Sequence, residues 1–271
     1  MDTSKLKGPF KTREELTTAL KVLYDEDKKE YIRQCADNEQ FKLLDENQWV
    51  FLADCIQEAG SFGQDYFYQD MWAAREIYRS NVKHVYDIAS RIDGYIAHLL
   101  SMEVQVTMLD IRPFKYPIEG LNFIQTNAMD MSNIPDNSME TISALCSFEH
   151  FGLGRYGDPI DYDGWKKALH EVKRKLKVGG TLYFSVPVGK KEKLVFNAHR
   201  IFNPMTIINE LAPELVLSEF SYIANWKINT CFKGGKDFGA IESFVNERLQ
   251  ELQGYNTGLF AFKKPVACPS R

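Results

Sequence analysis

The stretch Val82-Lys83-His84-Val85-Tyr86-Asp87-Ile88-Ala89-Ser90-Arg91-Ile92-Asp93-Gly94 decides how this chain is read. Its first half is an apolar, β-branched and aromatic run closing on an acid, the texture of a buried strand, and its second half holds a turn with a glycine where a helix would begin. A second apolar run, Val104 to Asp110, also ends in an acid, at the spacing of about 20 residues usual for a ribose-binding carboxylate. Two neighbouring strands ending in acids, with a turn and a helix between them, open a nucleotide-binding α/β domain, and so predict an adenosine-containing cofactor.

Outward from this stretch, short β-branched or aromatic runs alternate with helical spacing, the pattern of strands feeding crossover helices. Strands are predicted near Val82–Ile88, Val104–Asp110, Asn122–Gln125, Glu140–Ser147, Thr181–Val186, Leu215–Ile223 and Gly258–Lys263. Helices fit Gly94–Ser101, Asp163–Leu176 and Asn203–Leu211, the last with Asn203 as cap and Pro204 at the first helical position, where a missing N–H costs nothing. The expected architecture is α/β: a Rossmann-like, mostly parallel seven-stranded sheet with helices on both faces. Upstream, Thr12 with Glu15 forms a capping box, Leu16, Leu20 and Leu23 recur at helical intervals, and a second helix is expected over Trp49–Ala59. Residues 1–80 therefore read as an N-terminal helical extension or lid, and 81–271 as the main domain.

At 271 residues and 44% hydrophobic content the chain can fill its own core. A net charge of -4 argues against a nucleic-acid partner, because such proteins gain affinity from clustered Lys and Arg. Cys35, Cys55, Cys146, Cys231 and Cys268 stand singly with no C-x-x-C pair, which suits reduced thiols used in packing. The polar start, Met1 to Arg13, and the lack of a membrane-length apolar run predict a cytoplasmic protein without a membrane span. Oligomeric state is not legible, and a homodimer is left open.

Ligands of such sheets sit beyond the carboxyl ends of the strands, next to the first strand. Asp87 and the loop Ala89 to Gly94 follow that strand, and the loop's amides and the start of the next helix can face an anionic group. Asp110 is placed for the two ribose hydroxyls. The plainer reading of each acid is a turn cap or a surface group.

Order and spacing add to this. Asp110 is followed by Gln125-Thr126-Asn127-Ala128-Met129-Asp130, then Ile134-Pro135-Asp136-Asn137-Ser138-Met139-Glu140, and later Arg174-Lys175-Leu176-Lys177-Val178-Gly179-Gly180. In these motifs the chain resembles the class I S-adenosylmethionine (SAM)-dependent methyltransferases over roughly residues 82–211. It looks closest to a bacterial branch marked by Glu149-His150-Phe151-Gly152-Leu153-Gly154-Arg155-Tyr156-Gly157-Asp158-Pro159-Ile160-Asp161 and by Phe196-Asn197-Ala198-His199-Arg200, similar to cell-surface glycan methyltransferases. The resemblance implies SAM as cofactor, held by Asp87, Ala89, Ser90, Arg91, Gly94, Asp110, Ile111, Asn127, Ala128, Cys146 and Phe148. It implies a small-molecule acceptor, a sugar or nucleotide-sugar, bound by Glu149, Arg155, Tyr156, Asp161, Asn197 and Arg200.

The family's glycine loop, D-x-G-x-G-x-G, departs here: Ala89 and Arg91 replace its first two glycines, and an Arg where the cofactor's amino-acid end passes must point away or meet its carboxylate. Asn127 stands where an Asp is usual. An oxygen acceptor must lose its proton as it is methylated, a task for His or a carboxylate, so His150 is the expected general base, with His199 or Asp158 as second choices. The plainer reading is that both histidines hydrogen-bond loop backbone. No resident metal is expected, although Glu149, His150, Asp158 and Asp161 offer ligands for a divalent cation. The run Lys190-Lys191-x-Lys193 reads as a solvated loop or a diphosphate contact, and Tyr66, Phe67, Tyr68 and Trp72 as core aromatics or a lid. A second reading is a non-catalytic binding or scaffold protein of the same fold. A nicotinamide enzyme ranks third because G-x-G-x-x-G is absent.

Overall fold

The computed structural model describes residues 3–6, 9–35, 43, 50–57, 60, 64–234, 238–249 and 256–266. The chain divides into two compact units, Met1–Phe62 and Gly63–Arg271.

In the first unit, helix α1 (Arg13–Gln34) starts as its sequence requires: Thr12 Oγ1 accepts the Glu15 N–H at 3.1 Å, and Glu15 Oε2 accepts the Lys11 N–H at 2.7 Å. The helix expected over Trp49–Ala59 does not form in its described part, where a single 3-10 turn spans Asp54–Ile56. Trp49, Glu58 and Ala59 lie outside the described residues. Ala53, the residue before the turn, offers no capping side chain, and a segment this short cannot sustain a helix without one.

The second unit begins with α2 (Asp65–Ser80), followed by β1 (His84–Ile88), a π turn (Ile92–Ile96) running into α3 (Ala97–Ser101), β2 (Gln105–Asp110), β3 (Leu121–Gln125), β4 (Met139–Leu145), α4 (Gly164–Lys175), β5 (Leu176–Val188), β6 (Lys193–Val195), β7 (His199–Ile201), α5 (Pro204–Leu211), β8 (Val216–Ala224), β9 (Lys227–Lys233), α6 (Gly239–Ser243) and β10 (Asn256–Lys263). One sheet runs β3-β2-β1-β4-β5-β10-β8-β9. It is parallel from β3 to β5, and β10 lies antiparallel between β5 and β8.

The expected Rossmann-like sheet is therefore present with eight strands rather than seven. The additional one, β9, is an edge strand of mixed polar and apolar residues with only Phe232 buried, antiparallel to β8. It escapes a sequence reading because the two-residue turn before it is Asn225-Trp226, both with positive φ (52° and 59°), and lacks the Asn-Gly signature of such hairpins.

Helices cover both faces of the sheet. Trp72 and Ile77 of α2 and Leu99 of α3 join a core with Val85, Tyr183 and Leu259, while Trp165, Leu169 and Val172 of α4 join a second with Ile142, Phe184 and Phe260. Trp165, Leu169 and Val172 recur at helical spacing opposite a Lys- and Arg-rich face. At its first residue, Gly164, a Cβ would lie 2.6 Å from Met129 Sδ and 2.9 Å from Gly152 Cα, so only glycine lets α4 begin against the 149–161 loop.

The turns before β4 and β5 lock to one another. Arg174 and the buried Lys175 both bind Asp136, Lys175 Nζ donates to Ile134 O at 2.7 Å, and Asn137 and Ser138 donate their N–H groups to the carbonyls of Arg174 and Lys175. Two of the family-like motifs thus brace the amino ends of these strands. The strand order reverses at the carboxyl ends of β1 and β4, which is where a crevice forms.

Candidate active site

A cavity of about 560 Å³ opens at that switch point, walled by the loops after β1, β2, β3 and β4. Ala89, Ser90, Arg91, Asp110, Ile111, Asn127, Ala128 and Cys146, all expected around a cofactor, line it, as do His150, Arg155, Tyr156 and Asp158. Its volume falls within the roughly 300–1,000 Å³ of small-molecule sites. The lining also brings Arg112, Phe114 and Phe123, which sequence reasoning did not assign to the cofactor, and Tyr66, one of the aromatics weighed as core or lid.

The first strand's acid works beneath the cavity. Asp87 is fully buried and accepts from the Ser90 N–H at 2.9 Å, the Ser90 hydroxyl at 2.7 Å and the Ser143 hydroxyl at 2.7 Å, which fixes the loop. Burial raises its pKa to about 6 against those hydrogen bonds. The loop then turns at Ala89 with φ 57°, the left-handed conformation that a glycine would adopt freely. The backbone path of a glycine loop is kept, with an alanine in the strained place.

Arg91 points away from the loop backbone and forks onto Asp93 (3.1 and 2.8 Å), its guanidinium 5.1 Å from the Tyr66 ring centre. Gly94 does not line the cavity. A Cβ there would lie 2.2 Å from Asp70 Oδ2, and Asp70, buried on α2 with its pKa raised to about 6 by desolvation, is engaged by the Tyr95 backbone N–H. The expected anion-facing helix start is therefore taken by this protein's own carboxyl.

Asp110 stands at the end of β2 as expected, and both its oxygens are held by Arg112: Nε to Oδ1 at 3.0 Å, Nη2 to Oδ2 at 2.7 Å, with the Arg112 N–H adding 2.8 Å to Oδ1. Arg112 also lies over the Tyr156 ring at 4.6 Å. An arginine two residues after a strand-ending acid is the sequence signal for this fork. Asn127 Oδ1 accepts the Met129 N–H at 2.9 Å and shapes the turn after β3. Cys146, at φ 50°, directs Sγ to Gln69 Oε1 at 3.1 Å. Phe148 is core, its ring tilted against Phe151 and edge-to-face with Phe184.

His150 is held from behind. Its Nδ1 lies 2.6 Å from the Ala198 carbonyl, which only accepts, so Nδ1 carries the proton and Nε2 keeps its lone pair. Burial lowers its pKa to about 4, outweighing the Ala198 hydrogen bond. Glu149 Oε1 lies 3.6 Å from Nε2, too far for a hydrogen bond, and Glu149 Oε2 has no hydrogen-bond partner among the described residues. Desolvation raises the Glu149 pKa to about 8, and Glu149 is not among the residues that line the cavity.

The remaining expected residues organise the loop or stand beside it. Asp158 accepts the Gly152, Gly154 and Tyr156 N–H groups, which commits its lone pairs to backbone. Asp161 pairs with Lys167, and Arg200 donates to the carbonyls of Phe151 and Tyr162. His199 sits on β7 outside the cavity, and Asn197 is exposed at the hairpin tip. Among the described residues no three His, Cys, Asp or Glu side chains gather to hold a metal ion. Arg155 reaches Ala198 O at 2.9 Å and forms no ion pair among the described residues.

The family described as Caenorhabditis protein of unknown function, DUF268, matches residues 93–232. No curated protein matches the chain. Among solved structures the chain is similar to Burkholderia thailandensis 1,6-didemethyltoxoflavin-N1-methyltransferase, crystallised with S-adenosylhomocysteine (11% identity, 96% of this chain and 94% of that one, TM-score 0.51). It is similar to a putative sarcosine dimethylglycine methyltransferase from Galdieria sulphuraria (13%, 72% and 85%, 0.50) and to the [4+2]-cyclase SpnF (13%, 73% and 82%, 0.50). At these identities the likeness is one of fold, the class I methyltransferase fold, and the cyclase is a reminder that a fold does not dictate a reaction.

Proposed function

We infer that this chain, which belongs to the DUF268 family, is a methyltransferase that takes its methyl group from SAM and passes it to a hydroxyl of a small acceptor. The observation that carries this reading is the meeting, around one cleft at the switch point, of Ser90, Asp110, Ile111, Asn127 and Cys146 from four strand ends with His150 on the same wall. The residues fit the cofactor. Ile111, Phe123 and Ala128 offer apolar surface to a planar base, Asp110 offers a carboxylate to a diol, and the Ala89 turn keeps backbone close to the cleft. Bound there, SAM would supply an electrophilic methyl group, and what the protein adds is position.

His150 receives the acceptor's proton at Nε2 as the new bond forms. Its lowered pKa keeps that nitrogen unprotonated across the neutral range, and the Ala198 hydrogen bond stops the ring from turning. Arg155, beside it and without a carboxylate partner among the described residues, binds acceptor hydroxyl or phosphate oxygens together with Tyr156. The choice of a sugar hydroxyl, as in surface polysaccharide synthesis, rests on the 149–161 and 196–200 segments. The second reading, a non-catalytic binding protein, is favoured by one observation, the complete engagement of Asp110 by Arg112.

Calorimetry with SAM and with S-adenosylhomocysteine separates the two: micromolar binding supports the enzyme, and silence from both refutes it. With an acceptor in hand, His150→Gln lowers kcat by roughly 10²–10⁴ without changing S-adenosylhomocysteine affinity. Wild-type kcat/KM stays level from pH 7 to 5 and falls only towards about pH 4, where the imidazole titrates. Unaltered turnover in a folded variant would remove His150 from the mechanism.

A further inference from the structure

Beyond β5 the chain leaves the sheet as the hairpin β6–β7, in which Leu194 faces Arg200 and Val195 faces His199. The hairpin carries its apolar side chains outward: Leu194 is 54%, Val195 37% and Phe196 70% exposed. The neighbouring loop does the same with Ile160 (70%) and Tyr162 (87%). Arg200 ties the two segments together, donating to Phe151 O at 2.6 Å and to Tyr162 O at 3.4 Å, so these five side chains share one corner of the domain. Exposed apolar residues scattered singly need no explanation, but a cluster does.

Charge says what the corner fits. Lys190 and Lys191 stand at the root of the hairpin and Lys193 opens its first strand opposite Ile201, and none has an ion-pair partner among the described residues. Glu192, the acid among them, is turned to the Thr206 hydroxyl. A chain of net charge -4 thus sets a net positive root behind an apolar hairpin tip. A second copy docked on this face about a twofold axis would bring the same lysines against one another. The headgroup layer of an anionic bilayer instead meets the lysines with opposite charge, and its acyl boundary accepts apolar side chains without demanding a shape.

We propose that this corner docks on an anionic lipid bilayer, with Phe196, Leu194 and Val195 in the interface and Lys190, Lys191 and Lys193 against the headgroups. The hairpin also supplies the Ala198 carbonyl that holds His150 and Arg155, so the docked surface is the rim of the candidate site. Acceptors lying at the membrane surface would then be presented to the cleft. That last clause rests on the methyltransferase reading, whereas the docking does not.

Co-sedimentation of the full chain with vesicles of phosphatidylcholine containing 30 mol% phosphatidylglycerol, against phosphatidylcholine alone, tests the docking, with S-adenosylhomocysteine binding measured separately. The expected result is binding to the anionic vesicles only, weakened by salt. Exchange of the three lysines for Glu should lower it by on the order of a hundredfold, and Phe196→Ser by about tenfold. Phe196→Trp, at a side chain already exposed, keeps the fold and should give a blue-shifted emission on anionic vesicles. Absence of binding, equal binding to neutral vesicles, or binding unchanged in the variants overturns the proposal. So does a dimer in sedimentation velocity that Phe196→Ser dissolves, which would make the corner an interface between copies. Vesicle binding without S-adenosylhomocysteine binding would leave the docking standing and refute the enzymatic reading.

Discussion

Glu149→Gln isolates the free energy of one buried proton. Glu149 is 2% exposed, Oε2 is unpartnered among the described residues, and burial lifts its pKa from 4.5 to about 8. In its neutral form the carboxyl is nearly isosteric with an amide, so wild type and variant should be equally stable near pH 5. A folded-state pKa above the unfolded one means that the native state keeps a proton the unfolded chain has released. The stabilisation is whole below pH 4.5, is lost as pH rises through about 8, and changes no further above that.

At about 1.4 kcal/mol per pH unit, the wild type should lose on the order of 3 kcal/mol relative to the variant by pH 7, and on the order of 5 kcal/mol by pH 9. Against a total stability of about 5–15 kcal/mol this is a large effect. Urea unfolding followed by circular dichroism from pH 5 to 9 measures it directly, since every other titrating group cancels in the difference. The reasoning is refuted if the two curves stay parallel within about 0.5 kcal/mol over that range. A parallel pair of curves would mean that the carboxylate ionises normally and finds a partner.

The Asp110–Arg112 fork competes with any diol for the same oxygens. Arg112→Met should therefore tighten S-adenosylhomocysteine binding by about three- to tenfold, the worth of roughly 1 kcal/mol for a pair whose arginine is half exposed. Weaker binding in calorimetry would show instead that the guanidinium itself touches the ligand. At the turn after β1, Ala89→Gly removes about 1–2 kcal/mol of left-handed strain but adds about 0.5–1 kcal/mol of chain entropy. Its midpoint in urea should thus shift little, or upward, whereas Ala89→Val should lower stability by more than 2 kcal/mol. A clear loss on going to glycine would contradict the assigned backbone conformation.

The fold was legible where strand patterns were continuous. Residues 82–88, 104–110 and 258–263 hold the apolar runs of interior strands, and the caps at Thr12 and Asn203 act as their sequence signals say. Of the two edge strands of the sheet, β3 was legible at Asn122–Gln125, whereas β9 and the separate hairpin were not, because they bury little. Strand β9 mixes polar and apolar residues without a period of two, and β6 and β7 are three residues each in a largely exposed hairpin. Helix α2 reads as a run of aromatics whose roles the sequence could not separate. Trp72 is core, its Nε1 donating to Glu219 at 3.1 Å, while Tyr66, six residues earlier, faces the cavity.

At the site, sequence located strand ends but not what else arrives there. Asp87, Asp110 and Gly94 sit at the positions where a nucleotide-binding fold places its ligand contacts, yet each meets a partner from its own chain. Ser90 and Ser143 bind the first, Arg112 the second, and Asp70 crowds the third. Two of these partners, Ser143 and Asp70, come from elements distant in sequence, so no local motif could reveal them. Arg112 differs from the others. It is local, half exposed, and lies between Asp110 and the Tyr156 ring, so of the three engagements it is the one a ligand can displace at low cost. Asp87 and Gly94, by contrast, are committed to folding. If the cleft holds an adenosine, discrimination therefore falls on Asp110 and on the residues that release it, which places the decisive exchange at the end of β2 and not in the altered glycine loop.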